Sequence, residues 1–501
     1  MTNRDMERID LLIVGGGING AGIARDAAGR GLSVMLVEQD DLASHTSSAS
    51  TKLIHGGLRY LEYGEFRLVR EALIERERLL NMAPHIIWPL SFVLPQTQSP
   101  RPAWMVRLGL FLYDHLGGRE KLPGTRTVAL EKSALGAGLS PRKGKAFVYS
   151  DCWVEDSRLV VLNAMDARER GARIETRTRL INARRDGEGW TATVEADGQS
   201  HTVQARVLVN AAGPWVADVI GRTHGARRDR GVRLIKGSHI VVPRLYDGDH
   251  AFMLQNDDRR IVFAIPYEGA FTLVGTTDEP WTDAPAKASI SAAETSYLLD
   301  TANRYFARKV GEADIVWSYA GIRPLYDDHS ANASAVTRDY VLDLDTGAEG
   351  EAQAPMLNIF GGKITTYRKL AEHAMRELAR FFPQAGSAWT AGATLPGGDI
   401  ADADFERFLH ELTARHPALP PQLLRRLARA YGTRVDELLA AGDLGPDLGG
   451  GLHTAEVDYL VKAEWARTAE DILYRRSKLG LHVPLETPER LVRYLAERGI
   501  A

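Results

Sequence analysis

Cysteine is almost absent from this chain: Cys152 is the only one among 501 residues. A single thiol cannot form an intrachain disulfide, and it cannot hold an iron–sulfur cluster, which needs several thiolates. The sequence therefore predicts a reducing compartment, and we assign no residue as a metal ligand.

Long apolar runs are also missing. The first one, Ile9–Val14, is short and follows the charged residues Arg4, Asp5, Glu7 and Arg8, which argues against a secretory signal. No run approaches the roughly 20 residues of a membrane span. We expect a protein that is soluble or attached to a membrane surface, and not an integral membrane protein.

A surplus of charge of either sign is missing too. The 62 basic and 65 acidic side chains give a net charge of −3, which offers no reason to expect a nucleic acid partner. The composition, 44% hydrophobic and 25% charged, is typical of globular proteins and argues against long disorder. The length predicts two or three domains instead of one core.

The first forty residues carry a nucleotide-binding pattern. The apolar run Ile9–Val14 ends in a glycine-rich turn, a small-residue helix follows, and a second apolar strand ends at Glu38. Gly15, Gly17 and Gly20 fit G-x-G-x-x-G, and Glu38 lies where the acid that binds a ribose is expected. The glycines let the backbone approach a pyrophosphate, and the helix N-terminus favours phosphate charge. A bound dinucleotide follows, and the Glu38 carboxylate disfavours NADP because it would repel a 2′-phosphate.

Three later features have more than one interpretation when composition alone is considered. The hydroxyl-rich run 42–52 is either part of the cofactor site or an ordinary polar loop. The apolar segment 101–121, which has basic flanks, suits a helix at a membrane interface, a buried helix or a dimer contact. His239 alternates out of an apolar strand, where a lone histidine is more often structural than functional.

The rest of the chain predicts β structure followed by helices. Residues 172–204 alternate with period two and read as a β-meander, which leads into a strand that ends near Gly213. Further antiparallel strands between 233 and 278 suit a substrate sheet. Residues 405–501 show helical spacing, including one helix over Val457–Tyr474. This order is typical of a two-domain flavoprotein followed by a helical module.

Several longer motifs resemble those of one known family. They lie at residues 15–22, 46–62, 235–243, 321–325, 337–340 and 360–372. They resemble the aerobic, FAD-dependent sn-glycerol-3-phosphate dehydrogenases of bacterial membranes, and the likeness extends through Glu464–Arg467 near the end of the chain.

The pattern and the resemblance together imply an α/β fold with three parts. They are a Rossmann-like FAD-binding domain at 1–90, 145–230 and 335–385, an antiparallel-sheet domain that binds substrate and contacts the membrane at 91–144 and 231–334, and an all-helical C-terminal domain at 390–501.

The resemblance also implies an activity and partners. It implies oxidation of sn-glycerol 3-phosphate to dihydroxyacetone phosphate, with FAD as cofactor and ubiquinone as electron acceptor. It implies peripheral attachment to the cytoplasmic face of the inner membrane as a homodimer, and it favours the membrane interpretation of segment 101–121.

Motif positions assign the site residues. The expected substrate residues are Arg59, Tyr60, Arg323, Arg338, Lys363 and Thr365, since Arg and Lys suit a phosphate dianion. The expected FAD residues are Gly15, Gly17, Gly20, Glu38, Ser47, Ser48, Gly213 and Gly362. His239 is the first candidate for the base that takes the C2 hydroxyl proton, and Arg323 is a candidate for stabilising the developing alkoxide.

Three alternatives remain open at this point. One is a soluble glycerol-3-phosphate oxidase that uses O2, because the acceptor cannot be read from these motifs. Another is an amine or amino-acid oxidase of the same architecture, which the basic shell disfavours. The last is a non-catalytic interaction module that FAD stabilises.

Overall fold

A computed structural model of the protein describes residues 8–97, 99–187, 189–227, 231–327, 339–347, 353–440 and 442–500. The strands in these residues are β1 (Arg8–Val14), β2 (Val34–Val37), β3 (Leu53–Ile54), β4 (Ile87–Pro95), β5 (Arg126–Ala129), β6 (Lys145–Val154), β7 (Arg173–Glu175), β8 (Thr178–Asp186), β9 (Gly189–Ala196), β10 (Gln199–Asn210), β11 (Thr223–His224), β12 (Gly231–Pro243), β13 (Ala251–Gln255), β14 (Ile261–Tyr267), β15 (Phe271–Gly275), β16 (Glu279–Trp281), β17 (Trp317–Asp327), β18 (Val341–Asp345) and β19 (Met356–Phe360). The α-helices are α1 (Ile18–Gly29), α2 (Phe66–Met82), α3 (Ala103–Leu116), α4 (Asp156–Glu169), α5 (Val216–Gly221), α6 (Ala292–Tyr305), α7 (Tyr367–Leu378), α8 (Phe405–Arg415), α9 (Pro421–Tyr431), α10 (Val435–Leu439), α11 (Thr454–Glu464) and α12 (Thr487–Glu497).

The first sheet contains the predicted nucleotide-binding unit. Its order is β11-β8-β9-β10-β1-β2-β7, with β19 beside β10 and β18 beside β19. β1 pairs in parallel with both β2 and β10. These three strands are apolar where they pair because helices α1, α4 and α7 cover one face, while α5 and the β8–β10 meander cover the other. The predicted meander and the returning strand are both confirmed.

The second sheet contains the strands predicted between residues 233 and 278 for a substrate sheet. Its order is β16-β12-β15-β14-β13-β4-β6-β3, with β17 beside β12 and β5 beside β6. The long antiparallel pair of β12 and β17 places His239 opposite Tyr319 and Ile235 opposite Arg323. Because alternate residues share a face, His239 and Arg323 lie on the same side of this sheet.

One predicted grouping needs correction. The expected boundaries placed residues 145–154 with the FAD-binding domain, but β6 pairs with β3, β4 and β5 in the second sheet. An apolar strand carries no local signal of which sheet it will join, so sequence pattern alone could not separate the two assignments. The other domain boundaries remain predictions.

The C-terminal domain, α8 to α12, has a hydrophobic core of its own. The single helix predicted over Val457–Tyr474 is wrong. Helix α11 ends at Glu464, and Trp465 takes a left-handed φ of 59°. The Asp471 carboxylate accepts hydrogen bonds from the N–H groups of Arg467 and Thr468, at 2.8 and 3.0 Å. In return, Thr468 Oγ1 accepts a hydrogen bond from the Asp471 N–H at 3.1 Å. This reciprocal capping box begins a new helical segment that continues through Asp471–Arg476, which explains the break.

Segment 101–121 contains helix α3, which lies against α2 and the turn Leu58–Tyr63. Its outer face exposes Trp104, Leu108 and Phe111, with Trp104 71% exposed. Among the residues that the structure describes, no helix has both the length and the apolar character that a bilayer span requires.

Candidate active site

The glycine-rich turn between β1 and α1 brings two pieces of backbone close together. Gly15 has φ +113°, and a Cβ there would lie 2.5 Å from the carbonyl oxygen of Ala211. A Cβ on Gly20 would lie 1.9 Å from the Gly15 oxygen. Both positions therefore require glycine. Gly17 is the N-cap of α1 and offers no side-chain acceptor, so the end of this helix favours an anion.

Residues 38–48, which we call the cofactor loop, fold over this turn. The Glu38 carboxylate accepts hydrogen bonds from the Gly16 N–H at 2.6 Å and from the Asp40 N–H at 2.9 Å. Ser47 Oγ accepts one from the Ile18 N–H at 3.0 Å. Burial raises the pKa of Glu38, while the two backbone donors oppose that rise. The acid that the sequence assigned to a ribose therefore also ties the loop to the turn.

A cleft runs along the turn and the loop. Its lining includes the predicted cofactor residues Gly15, Gly17, Glu38, Ser47, Gly213 and Gly362. Gly20 instead packs beneath the turn, as its close approach to Gly15 shows. Ser48 lines a neighbouring cavity and donates a hydrogen bond to the His45 oxygen at 3.1 Å.

The residues present fit a dinucleotide. The N-terminus of α1 opens into the cleft, where its N–H groups favour phosphate charge. Asn19 also lines the cleft, and its Oδ1 is buried with no hydrogen-bond partner among the described residues. The Asn19 amide nitrogen donates to the Gly361 oxygen at 3.0 Å, which joins the turn to the Gly361–Gly362 pair at the other end.

Two positive side chains, Lys363 directly after Gly362 and Arg59 beside Tyr60, have no carboxylate partner among the described residues. Within the described part of the chain, neither Arg59 nor Lys363 forms an ion pair, and the Arg59 Nε is buried with no acceptor. The Lys363 ammonium lies 3.8 Å from the centre of the Tyr60 ring. Gly57, at φ +74°, permits this ring position, since a Cβ there would lie 2.3 Å from it. Unpaired cations beside a cleft favour an anionic ligand.

Thr365 and His55 bring two further segments to the same place. Thr365 is buried, and its Oγ1 accepts a hydrogen bond from the His55 N–H at 3.2 Å. Burial lowers the pKa of His55; the positive charge of Lys363 also lowers it, and Asp151 opposes this. His55 is therefore a second histidine at the site, which the sequence analysis did not assign.

Arg323 reaches across Gly237 on the neighbouring strand. A Cβ on Gly237 would lie 2.4 Å from the Arg323 guanidinium. The guanidinium donates to Asp278 Oδ1 at 2.7 Å and lies 3.2 Å from Thr276 Oγ1. The next residue, Pro324, lines the cofactor cleft beside Gly361.

His239 lies deeper in the second sheet. Its ring stacks on Tyr319 with centroids 4.8 Å apart, and its Nε2 lies 3.0 Å from Thr51 Oγ1. Its Nδ1 is buried and has no partner among the described residues. Burial, with the charges of Arg323 and Lys52, lowers the pKa of His239 well below its usual value. The imidazole is therefore neutral near pH 7, and the same surroundings disfavour its protonated form.

The remaining predicted substrate residue, Arg338, lies outside the described residues. Among the residues that sequence reasoning missed, His55 had a usable signal, because it stands inside the motif that also contains Arg59 and Tyr60. Asp278 and Thr276 had none, since their role depends on the contact with Arg323, some 45 residues away in the chain.

Comparison with known proteins gives concordant matches. Residues 10–368 match the family described as FAD dependent oxidoreductase, and residues 388–497 match the C-terminal domain of alpha-glycerophosphate oxidase. The chain is 55% identical over 484 residues to the D-erythritol 1-phosphate dehydrogenase of Brucella abortus, with 95% of each chain covered.

It is 56% identical over 497 residues to the glycerol-3-phosphate dehydrogenase of Pseudomonas aeruginosa, with 98% of this chain and 95% of that protein covered. The structure of the glycerol-3-phosphate dehydrogenase from Bacillus halodurans, which was solved with FAD, matches with a TM-score of 0.76 at 27% identity, covering 98% of this chain and 91% of that one.

Proposed function

Because this chain belongs to the family of FAD-dependent glycerol-3-phosphate dehydrogenases, we propose that it oxidises sn-glycerol 3-phosphate to dihydroxyacetone phosphate. The observation that carries the proposal is that Arg59 and Lys363 have no carboxylate partner among the described residues, and that Lys363 directly follows Gly362 of the cleft lining. FAD, when bound, supplies the hydride acceptor. The chain's own residues supply binding, orientation and proton transfer.

Phosphate binding is the first of these tasks. The ammonium of Lys363 and the guanidinium of Arg59 donate to the phosphate oxygens, and the charge-assisted hydrogen bonds fix the position of C2. We assign to Arg323 the stabilisation of negative charge on the C2 oxygen as its proton leaves. We include Arg338 in this shell by its motif position alone.

Proton removal is the second task. We keep His239 as the candidate base, because its lowered pKa leaves it neutral and its Nδ1 has no competing partner among the described residues. Thr51 holds the other ring nitrogen. His55 is the rival base, since it lies between Lys363 and Thr365.

These two histidines are separable by matched variants. Loss of the base should lower kcat by a factor on the order of 10²–10⁴ at unchanged flavin content. We expect this of His239→Asn and a smaller effect of His55→Asn in the same single-turnover assay. The reverse ranking would move the role of base to His55.

The exposed face of α3 supports the proposed membrane contact and acceptor. Trp104, Leu108 and Phe111 adjoin the exposed Tyr63 and Phe66, beside the turn that carries Arg59. We propose that this face lies in the interface of the cytoplasmic side of the inner membrane and that ubiquinone dissolved there is reduced. The flanking cations are partly engaged in the protein: Arg101 pairs with Glu62 and Arg119 with Asp114. The predicted homodimer remains a prediction.

An anaerobic experiment tests substrate and acceptor together. Glycerol 3-phosphate should bleach the oxidised flavin, and a ubiquinone analogue should restore it faster than O2 does. Rapid peroxide formation without any gain from quinone would favour the oxidase alternative. A yellow protein that no phosphorylated polyol bleaches would contradict the substrate assignment.

D-Erythritol 1-phosphate is the second candidate substrate. The relative named for it is as similar to this chain as the glycerol-3-phosphate dehydrogenases are. The two substrates share a phosphate and a secondary hydroxyl and differ by one carbon unit. The ratio of their kcat/KM values decides between them, and we expect glycerol 3-phosphate to have the higher value.

A further inference from the structure

The cofactor loop is held from its outer side by the C-terminal domain. Asp41 lies in this loop, three residues after Glu38, and its carboxylate is buried. It accepts hydrogen bonds from Arg475 Nε at 2.7 Å and from Arg476 Nη1 and Nη2 at 2.7 and 2.8 Å. Two guanidiniums from a segment more than 400 residues away therefore converge on one carboxylate of the loop.

A buried ionic network holds both guanidiniums in place. Arg476 also donates to the backbone oxygen of Glu464, whose carboxylate pairs with Arg158 of helix α4. Arg475 pairs with Asp471, which in turn receives a hydrogen bond from Arg177 at 2.6 Å. Because each buried charge has an opposite partner, the network is rigid and costly to break.

The inner side of the same loop contacts the cofactor turn. The Asp41 carbonyl accepts hydrogen bonds from Ser44 N–H at 3.2 Å and from Ser44 Oγ at 2.8 Å. Ala43 N–H donates to the Gly16 oxygen, and Ala43 has a left-handed φ of +60°. A non-glycine residue in that conformation persists only when its surroundings hold it there. The Asp41 contacts supply such a constraint.

We propose that the C-terminal domain clamps the cofactor loop through Asp41 and thereby slows the loss of FAD. The clamp couples two events that lie on opposite sides of the loop: FAD binding on the inner side and docking of Arg475 and Arg476 on the outer side. The proposal needs FAD binding only, and it is independent of the substrate assignment.

The first test measures FAD affinity in the full-length protein. Asp41→Asn keeps the side-chain shape and removes the charge, so it should raise the FAD Kd by about 10–10²-fold, mainly through faster dissociation. Arg475→Gln leaves Arg476 in place and should raise the Kd less. Apoprotein reconstitution followed by flavin fluorescence gives both values.

Glu169→Gln is the matched control. Glu169 pairs with Arg434 at 2.8 Å and also joins α4 to the C-terminal domain, but it does not contact the cofactor loop. Its FAD Kd should stay within about twofold of wild type, because the pair is partly exposed and such pairs contribute little.

The second readout is the effect of FAD on hydrogen exchange in the C-terminal segment. An ion pair with a merely structural role would not make this exchange respond to FAD. If the sites are coupled, FAD must stabilise the docking of the C-terminal segment as much as docking stabilises FAD. Amide hydrogen exchange in residues 464–478 should therefore slow when FAD is added to wild-type apoprotein. Asp41→Asn should abolish that response.

Each outcome decides the proposal. An unchanged FAD Kd in Asp41→Asn would overturn it, even if the thermal stability fell. If Asp41→Asn failed to fold, Arg475→Gln would carry the test, and an unchanged Kd there would overturn the clamp equally. If FAD did not change the rate of amide hydrogen exchange in residues 464–478 of the wild type, that result would contradict the coupling.

Discussion

Two groups of positive side chains differ in whether a carboxylate pairs with them. Arg25, Arg76 and Arg368 are buried, and each is paired with a carboxylate. Lys363 directly follows Gly362 of the cleft lining and lies over the Tyr60 ring beside Arg59, and within the described residues neither cation forms an ion pair. Removing one partner of a buried ion pair leaves an unpaired buried charge and destabilises the folded state. The folded state therefore depends on the first group. The second group leaves positive charge for a ligand to neutralise.

The largest expected effect lies in the first group. Arg368 donates to both carboxylate oxygens of Glu75 at 2.6 Å. Arg368→Met removes this bidentate contact and leaves the Glu75 carboxylate buried. The variant should therefore lower the free energy of unfolding by about 3–5 kcal/mol. Arg376→Met, on the exposed side of the same helix, should change it by less than about 0.5 kcal/mol. Urea titration measures both. A KM change without a stability change in Arg368→Met would break the comparison.

Arg323 differs from both groups, because it pairs with Asp278 and yet belongs to the predicted substrate shell. Arg323→Ala should lower kcat/KM by about 10² or more, as expected for losing a charged partner of the phosphate or of the transition state. Arg260→Ala is a matched control, since Arg260 makes a similar half-exposed pair with Glu279 at 3.0 Å. Equal kinetics in the two variants would remove Arg323 from the substrate shell.

Lys363 tests the second group directly. Lys363→Met should raise KM and lower kcat/KM by about 10–10²-fold, while flavin content and the unfolding midpoint stay unchanged. Lys369→Met, six residues away and paired with Glu372, should leave the kinetics unaltered. A stability loss in Lys363→Met would show that its charge has a structural partner.

The smallest effect is a pH dependence of stability. Burial and the nearby Glu268 raise the pKa of Glu155 to about 7, against a usual 4.5. The folded state therefore binds more protons than the unfolded state between these values, so the free energy of unfolding falls as pH rises from about 4.5 to 7. Glu155→Gln should flatten this slope in urea titrations at pH 5, 6 and 7. Glu497 is exposed, so Glu497→Gln should leave the slope unchanged. An unchanged slope in Glu155→Gln would contradict the raised pKa of Glu155.

The cofactor side was predictable from sequence and the substrate side was less so, for a physical reason. Gly15, Gly17 and Glu38 act through backbone geometry within one short stretch, so their spacing carries the information. Arg59, Arg323 and Lys363 act through side chains that meet only after folding. Their assignment came from motif resemblance, and the contact of Arg323 with Asp278 had no local signal.

Two structural errors have the same origin. The place of strand 145–154 in the second sheet depends on its neighbours and not on its own apolar pattern. The break after Glu464 depends on capping by Asp471, which helical spacing alone does not reveal.

We propose that Arg59 and Lys363, which have no carboxylate partner among the described residues, recognise the phosphate of the substrate. The most direct measurement is anaerobic titration of the flavin absorbance with sn-glycerol 3-phosphate and with unphosphorylated glycerol, in wild type and in Lys363→Met. We predict saturable bleaching by the phosphate ester, no bleaching by glycerol at the same concentrations, and a higher apparent Kd for the ester in Lys363→Met. Equal bleaching by both compounds, or an unchanged Kd in the variant, would contradict the claim.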